Sequence, residues 1–394
     1  MKILQIHNSY KFFGGEDTVV ELEKNLLLNN NHSVKQLIRS NTKEIKGLGS
    51  KLSVAKNLSY SNFSKKLVYE EIRKIKPDIV HIHNFFPLWT TSILDACVEN
   101  NVPVVMTLHN YRTICAKGDL FRGGKICEKC LNHSNYYSVL YGCYQNSRIK
   151  SIPVAKMISD NQKKNILNNK VNCFITMSNF AKKKFIQANF LKKKLHIKTN
   201  FSPVTISYIS TKKVRQNFCL YVGRLSDEKG ISTLLKAWEN INYPLKIFGN
   251  GPLINQLNKD QKNVTFFGHQ NKKIILKEMR LAKLLIFPTE CYEGGNPLTI
   301  LESFASGLPV LASNIGSVSE MIVDKHNGIF FKAGNIKDIR NKINWALSNP
   351  SKCDKISKNA LNEFKKKYSK NTNYNLLIEI YKKAIKDNLI NNYL

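Results

Sequence analysis

No apolar stretch in this 394-residue sequence approaches the roughly 20 residues needed to cross a bilayer, so a helical membrane span is excluded. The first residues, Met1-Lys2-Ile3-Leu4-Gln5-Ile6-His7, carry one cation and a short apolar run broken by Gln5. They lack the apolar region of a secretory signal and read as a buried first strand. The expectation is a protein that stays where it is made, in the cytoplasm. A disulfide framework is missing too: nine cysteines, an odd number scattered over a long chain, fit reduced thiols with room for one metal site. There is no internal repeat and no linker long enough to set off a third domain. Acidic residues are scarce, 28 against 61 Lys and Arg, for a formal net charge of +33. Two origins fit that excess. One is a surface that seeks anionic lipid or nucleic acid; the other is a compositional bias toward Lys, Asn and Ile along the whole chain.

What is present points to two domains. The length and a hydrophobic content of 42%, with 11 prolines and 19 glycines, suit two soluble cores. Ile3–His7, Ile79–His83, Val102–Leu108, Cys173–Met177 and His196–Lys198 read as strands of a first sheet. Asp17–Leu28 and Lys65–Ile75 carry helical spacing between them, with Asp17 or Thr18 as a cap of the former. A second series follows: Phe218–Val222, Leu245–Phe248, Val264–Phe267, Leu284–Phe287, Val310–Ala312 and Gly328–Phe331. This alternation predicts an α/β fold of two Rossmann-like doubly wound domains facing across a cleft. They would occupy residues 1–205 and 206–394, the latter with a helical tail from about 335 to 386.

Three segments carry chemistry. Phe13-Gly14-Gly15-Glu16 follows the first strand and precedes a helix, where paired glycines either let amides approach a phosphate or simply make a turn. Tyr221-Val222-Gly223-Arg224 through Lys229-Gly230 places an arginine and a lysine five apart beyond a strand's carboxyl end. That suits a diphosphate, with Arg binding as a fork and Lys as a point charge. Glu293-Gly294-Gly295-Asn296-Pro297 leads into a helix holding Glu302, closed by Gly307. Glycine amides there would meet an anion, and the carboxylates would accept from hydroxyls.

Together these segments resemble family-4, group-1 glycosyltransferases of the GT-B fold. In the C-terminal half the resemblance rests on Arg224 with Lys229, on Glu302-Ser303-Phe304-Ala305-Ser306-Gly307-Leu308-Pro309-Val310, and on Gly316, Glu320 and Asn327-Gly328. In the N-terminal half it rests on Gly14-Gly15, His81-Ile82-His83-Asn84 and Thr107-Leu108-His109-Asn110-Tyr111-Arg112. The resemblance implies a hexosyltransferase that uses a nucleoside-diphosphate-sugar donor, retains anomeric configuration and needs no catalytic metal. By position, Arg224 and Lys229 would hold the diphosphate and Glu302 the ribose hydroxyls. Glu293 with the turn of Gly294, Gly295, Asn296 and Pro297 would hold the sugar. His109 would sit near the donor sugar, and Gly14-Gly15 near the diphosphate and acceptor. Phe248-Gly249-Asn250-Gly251-Pro252 and Gly268-His269 resemble loops that border the base. The family's carboxylate pair is separated by seven residues, whereas eight lie between Glu293 and Glu302.

Other features admit two readings. Cys115, Cys127, Cys130 and Cys143 sit in an insert at residues 113–145 and would suit a structural zinc site or buried apolar thiols. His81 and His83 share one strand face, either contacting an acceptor at His83-Asn84 or satisfied in the core. Phe180–Lys194 is basic and amphipathic, fit for a membrane surface or for packing its aromatic face inward. The leading expectation is sugar transfer to a hydroxyl on a polysaccharide or lipid-linked acceptor, with peripheral contact at an anionic membrane's inner face. A sugar-nucleotide epimerase or a phosphorylase is the alternative on the same fold. A nucleic-acid-binding protein is the third, disfavoured because the charge is spread and aromatic-interleaved basic motifs are lacking; no specific nucleic acid is expected.

Overall fold

The structure, a computed structural model, describes residues 1–10, 14–202 and 215–393. Phe13 and the 205/206 boundary therefore lie outside the described residues. The chain divides into two compact units, the first of residues 1–120, 127–199 and 373–394, the second of residues 121–126 and 200–372.

The first unit opens with β1 (Lys2–Ser9), β2 (Ser33–Ser40), β3 (Ile79–Asn84) and β4 (Val104–Thr107); the two-stranded ribbon that follows in the chain, β5 (Phe121–Arg122) and β6 (Lys125–Ile126), belongs to the second unit. Then come β7 (Cys173–Thr176) and β8 (Leu195–Ile197). Apart from the ribbon these strands form one parallel sheet in the order β2-β1-β3-β4-β7-β8. β3, β4 and β7 are buried throughout, as strands covered on both faces require, β4 and β7 through short apolar runs and β3 with His81, His83 and Asn84 among its apolar residues. β2 has no counterpart among the expected strands. Its sequence, Ser33-Val34-Lys35-Gln36-Leu37-Ile38-Arg39-Ser40, lacks an apolar run because it lies at the sheet edge and is only half-buried.

Two expectations are corrected in this unit. The first helix spans Gly15–Leu28 and is capped by Gly14, not by Asp17 or Thr18. Asp17 lies one turn in and accepts the Gly14 amide at 2.9 Å, so the carboxylate reaches back from the third helical position. The final helix, Lys370–Tyr393, runs beyond residue 386. From residue 373 it belongs to the first unit, not to the domain that begins at 206. Packing explains the assignment: Leu377, Ile380, Tyr381 and Ala384 share a core with Ile3, Ile79, Val105 and Ile175.

The second unit contains β9 (Cys219–Val222), β10 (Leu245–Phe248), β11 (Val264–Gly268), β12 (Leu284–Phe287), β13 (Val310–Ser313) and β14 (Ile329–Phe331). They form a parallel sheet in the order β11-β10-β9-β12-β13-β14. Alternate residues face opposite sides and both sides are apolar. Cys219, Tyr221, Ile247, Ile286 and Leu311 pack on one side; Leu220, Phe248, Leu285 and Val310 pack on the other.

The chain winds outward in both directions from β9 and β12, and in the first sheet from β1 and β3. At such a reversal the loops leaving the two strands splay apart and open a crevice at their carboxyl ends. In the second unit those loops hold Arg224, Lys229 and Glu293. In the first they begin at Tyr10, in the loop before Gly14-Gly15, and at Phe85.

Candidate functional site

The loop after β9 is shaped by close backbone approach. A Cβ on Gly249 would stand 1.8 Å from the Gly223 carbonyl oxygen, and one on Gly251 would stand 2.3 Å from that of Leu225. The Gly223 amide donates to the Phe248 carbonyl at 3.0 Å, the Leu225 amide to that of Asn250 at 3.0 Å, and the Gly249 amide to that of Gly268 at 2.8 Å. These bonds stitch together the loops after β9, β10 and β11, so the backbone beneath Arg224 is set by glycines on a neighbouring loop.

Lys229 and Glu293, brought from opposite sides of the switch point, form the centre of the arrangement. The Lys229 ammonium donates to both Glu293 oxygens, at 2.7 and 2.8 Å. Thr289, just past β12, donates to the same carboxylate at 2.8 Å. Burial alone would lower the Lys229 pKa, but Glu293 chiefly holds it above the ordinary lysine value. Glu290, the other acidic residue of this turn, accepts from Thr233, which leaves Glu293 as the partner of Lys229. Arg224 is more exposed, with Nη1 3.7 Å from Glu228 Oε1. Burial pushes the Glu228 carboxyl up; bonds from Ser226 and its own backbone amide, with the charges of Lys229 and Arg224, hold it below the usual glutamate value overall.

Ser317 fastens the glycine turn by donating to the carbonyls of Glu293 at 3.0 Å and Gly295 at 2.9 Å. Asn200 donates to the Asn296 carbonyl at 2.9 Å, while the buried Oδ1 of Asn296 has no hydrogen-bond partner. Pro297 is the N-cap of helix Leu298–Ala305, one position ahead of its first residue, and Gly307 leaves that helix at φ +60°. Glu302 is buried on this helix and accepts from Lys272. Burial raises its pKa despite that lysine. Lys272 and Ser317 were not legible as site residues, because they lie far along the chain from Glu302 and the glycine turn they bond, and Thr289, four positions before Glu293, carries no pattern of its own.

The raised Glu302 pKa gives a prediction. An ionised carboxylate is the stronger acceptor for ribose hydroxyls. Affinity for a nucleoside diphosphate should therefore fall more steeply on acidification in the wild type than in Glu302→Gln, which keeps only the loss set by protonation of the ligand's own phosphate. Titration calorimetry between about pH 5 and pH 8 checks both curves.

In the first unit, His109 Nε2 and His83 Nδ1 are 3.1 Å apart, with the rings stacked at 5.3 Å. Burial, then neighbouring histidines, drives the pKa of His83 well below the ordinary value; burial does the same for His109. His81 is a satisfied core residue, bonded through Nδ1 to the Tyr381 hydroxyl and through Nε2 to Thr107, both at 2.8 Å. Gly14 serves as a helix cap and its amide is already engaged; Gly15, where an added Cβ would meet nothing within 4 Å, opens the helix. Glu16 beside them accepts from Asn110 at 2.5 Å. A small cavity is lined by His83, Asn84, Phe86, His109 and Arg112.

The remaining two-way readings are narrowed. Phe185 and Phe190 are buried, with Phe185 stacked on Tyr111 at 5.6 Å, so the basic segment packs its aromatic face inward. Burial raises the Cys130 thiol to about 12, and Cys115, Cys143 and Cys127 push in the same direction. All nine cysteines are free thiols. Among the described residues no three of the four insert thiols stand mutually within 4.8 Å; the group that does is Glu23, His81 and His83.

Two parallel-sheet units of this topology form the GT-B fold. The structure superposes on that of Anabaena HepE in complex with UDP and glucose, with a TM-score of 0.66 at 18% identity over 96% of this chain and 98% of that one. Residues 43–201 match the family described as Glycosyltransferase Family 4, and residues 205–363 match Glycosyl transferases group 1. The chain belongs to this family of glycosyltransferases. An uncharacterised glycosyltransferase of Methanocaldococcus jannaschii is 26% identical over 158 residues, 39% of this chain and 44% of that protein. The D-rhamnosyltransferase WbpZ of Pseudomonas aeruginosa is 25% identical over 154 residues, 38% of this chain and 40% of that protein. The matched stretches thus span less than half the length of these two relatives.

Proposed function

We propose that this protein transfers a sugar from a nucleoside diphosphate donor to a hydroxyl acceptor, with retention of configuration, in the assembly of polysaccharide or lipid-linked glycan. The observation that carries this reading is the Lys229–Glu293 pair at the switch point of the second sheet, beside the glycine turn. HepE binds UDP and glucose, and WbpZ is a D-rhamnosyltransferase; both support a nucleotide-sugar donor here. In this reading the diphosphate takes Lys229 and Arg224, which stabilise the charge that grows on the leaving group. Glu293, released from Lys229, accepts from the sugar hydroxyls, while the amides of Gly294, Gly295 and Asn296 donate to the sugar and Pro297, which has no N–H, fixes the turn. Glu302 takes the ribose diol, His109 contacts the sugar, and Gly14-Gly15 serve the diphosphate and acceptor. No metal has a step in this scheme. A structural zinc in the insert stays outside this reading, because among the described residues no three of Cys115, Cys127, Cys130 and Cys143 bring their sulfurs within 4.8 Å of one another. Thermal-shift screening against UDP-, GDP- and ADP-sugars, with product analysis, tests the activity. Stabilisation by one series and transfer of its sugar are expected; hydrolysis, epimerisation or no stabilisation by any of them would refute the proposal.

No helix among the described residues is long and apolar enough to cross a membrane. We propose peripheral membrane contact through one face of the first unit. Helix Gly47–Asn57 has no buried residue and exposes Leu48 (78%) and Leu52 (69%) beside helix Arg148–Lys163, where Ile149 is 79% exposed. Lys46, Lys51, Lys56, Arg148 and Lys150 are exposed around them, a combination of apolar tips and cations suited to anionic lipid. Replacing Leu48, Leu52 and Ile149 together by glutamate should weaken sedimentation with anionic vesicles roughly tenfold or more. Equal binding by wild type and variant would remove this face from the account.

A further inference from the structure

Behind His109 lies a line of buried polar groups that the donor reading does not use. His83, at the end of β3, faces His109 with Nδ1 and places Nε2 3.6 Å from Glu23 Oε2. Glu23 is fully buried on helix Gly15–Leu28. Its other oxygen accepts from Lys198, which also donates to Asn373 at 3.2 Å. Glu23 Oε2 and His83 Nε2 are buried and without hydrogen-bond partners, each being the other's near neighbour. His81 also approaches Glu23 Oε2, at 3.8 Å, but both its ring nitrogens are already bonded.

This spacing could suit a cation, yet the charge count argues against one. Lys198 already neutralises Glu23, and a divalent ion would add two uncompensated charges to a buried site. The chemistry of the line is instead that of a proton held in place. A neutral imidazole has one N–H, and a carboxylate only accepts. The proton of His83 is therefore favoured on Nε2, toward Glu23, which leaves Nδ1 bare. Bare Nδ1 must receive its hydrogen bond from His109 Nε2–H. His109 then has a bare Nδ1, for which the described residues supply no partner.

We propose that Glu23, acting through His83, fixes the tautomer of His109 so that its Nδ1 meets the ligand as an obligate acceptor from a sugar hydroxyl. The groups facing His83 agree: Glu23, His81 and His109 contact it directly, and His7 meets it edge-on at 6.5 Å with its own Nε2 committed to Asp17 at 3.0 Å. None competes with Glu23 as an acceptor for His83 Nε2–H. Glu23 and His83 are positioning residues, and the proposal rests on the reading of His109 as a donor-sugar contact.

The test is long-range ¹H–¹⁵N correlation on full-length protein labelled at histidine nitrogen, with His109 assigned from a His109→Gln sample. His109 should show a protonated Nε2 and a bare Nδ1. In the neutral pair Glu23→Leu/Lys198→Met, which leaves no lone buried charge, a folded protein should lose that pattern. A proton on His109 Nδ1 in the wild type, or a pattern unchanged in the folded pair, overturns the proposal. In kinetics, His83→Phe should lower donor affinity roughly tenfold, while His83→Asn, whose Oδ1 stands near the place of Nδ1, should recover most of it; an equal loss in both would count against the line. His109→Ala separates the two claims. Undiminished donor binding in that variant sinks the His109 reading, while the spectrum judges the tautomer independently.

Discussion

Replacing Lys229 by alanine should weaken nucleoside diphosphate binding on the order of a hundredfold, about 3 kcal/mol. Two effects add. The charge-assisted bond to phosphate is lost, and the Glu293 carboxylate stays behind without the cation that engages both its oxygens. The second effect is separable. Lys229→Met combined with Glu293→Gln should bind the bare diphosphate roughly tenfold better than Lys229→Ala, because no lone carboxylate faces the phosphates. That double variant should nonetheless fail to transfer sugar. Arg224→Ala should cost less, since its side chain is 54% exposed and water screens it. Calorimetry on the four proteins checks the order; a Lys229→Ala affinity within threefold of wild type would remove Lys229 from the diphosphate.

Gly249→Ala should destabilise the second unit by about 3 kcal/mol, lowering its melting temperature by roughly 6–12 °C. Gly249 adopts φ +147°, and a Cβ there meets the Gly223 carbonyl oxygen at 1.8 Å. That oxygen belongs to backbone and cannot swing aside as a flexible side chain would. The strands must separate where their loops are joined, and Gly223 carries Arg224 with it. Donor affinity should therefore fall in the fraction that remains folded. Calorimetric melting of wild type and variant decides the point, and an unchanged melting temperature would show that the loops tolerate the methyl group.

The buried strands were legible because parallel strands covered on both faces write near-continuous apolar runs, as in Val104-Val105-Met106 and Leu284-Leu285-Ile286-Phe287. The edge strand at Ser33–Ser40 writes no such run, and the last helix, with its mixed pattern, gave no sign of which sheet it covers. Arg224, Lys229, Glu293 and Glu302 stood out because cations after a strand and carboxylates around a glycine turn are local patterns. Ser317 and Lys272 did not, since they meet those residues only through the fold, and Thr289, though four positions before Glu293, carries no pattern of its own. His83 was read as open between core and ligand. Its partner Glu23 lies 60 positions away in sequence, and nothing but tertiary packing could reveal that both sit behind His109.

The central claim is that Lys229, Glu293 and Glu302 frame a nucleotide site, and its ribose contact is the part most open to direct measurement. Whichever of UDP, GDP or ADP binds should be titrated beside its 2′,3′-dideoxy form into wild-type protein and Glu302→Ala. Wild type should prefer the ribose form roughly tenfold, about 1.4 kcal/mol, and Glu302→Ala should bind both forms alike. The same preference in both proteins, or none in the wild type, would contradict the assignment.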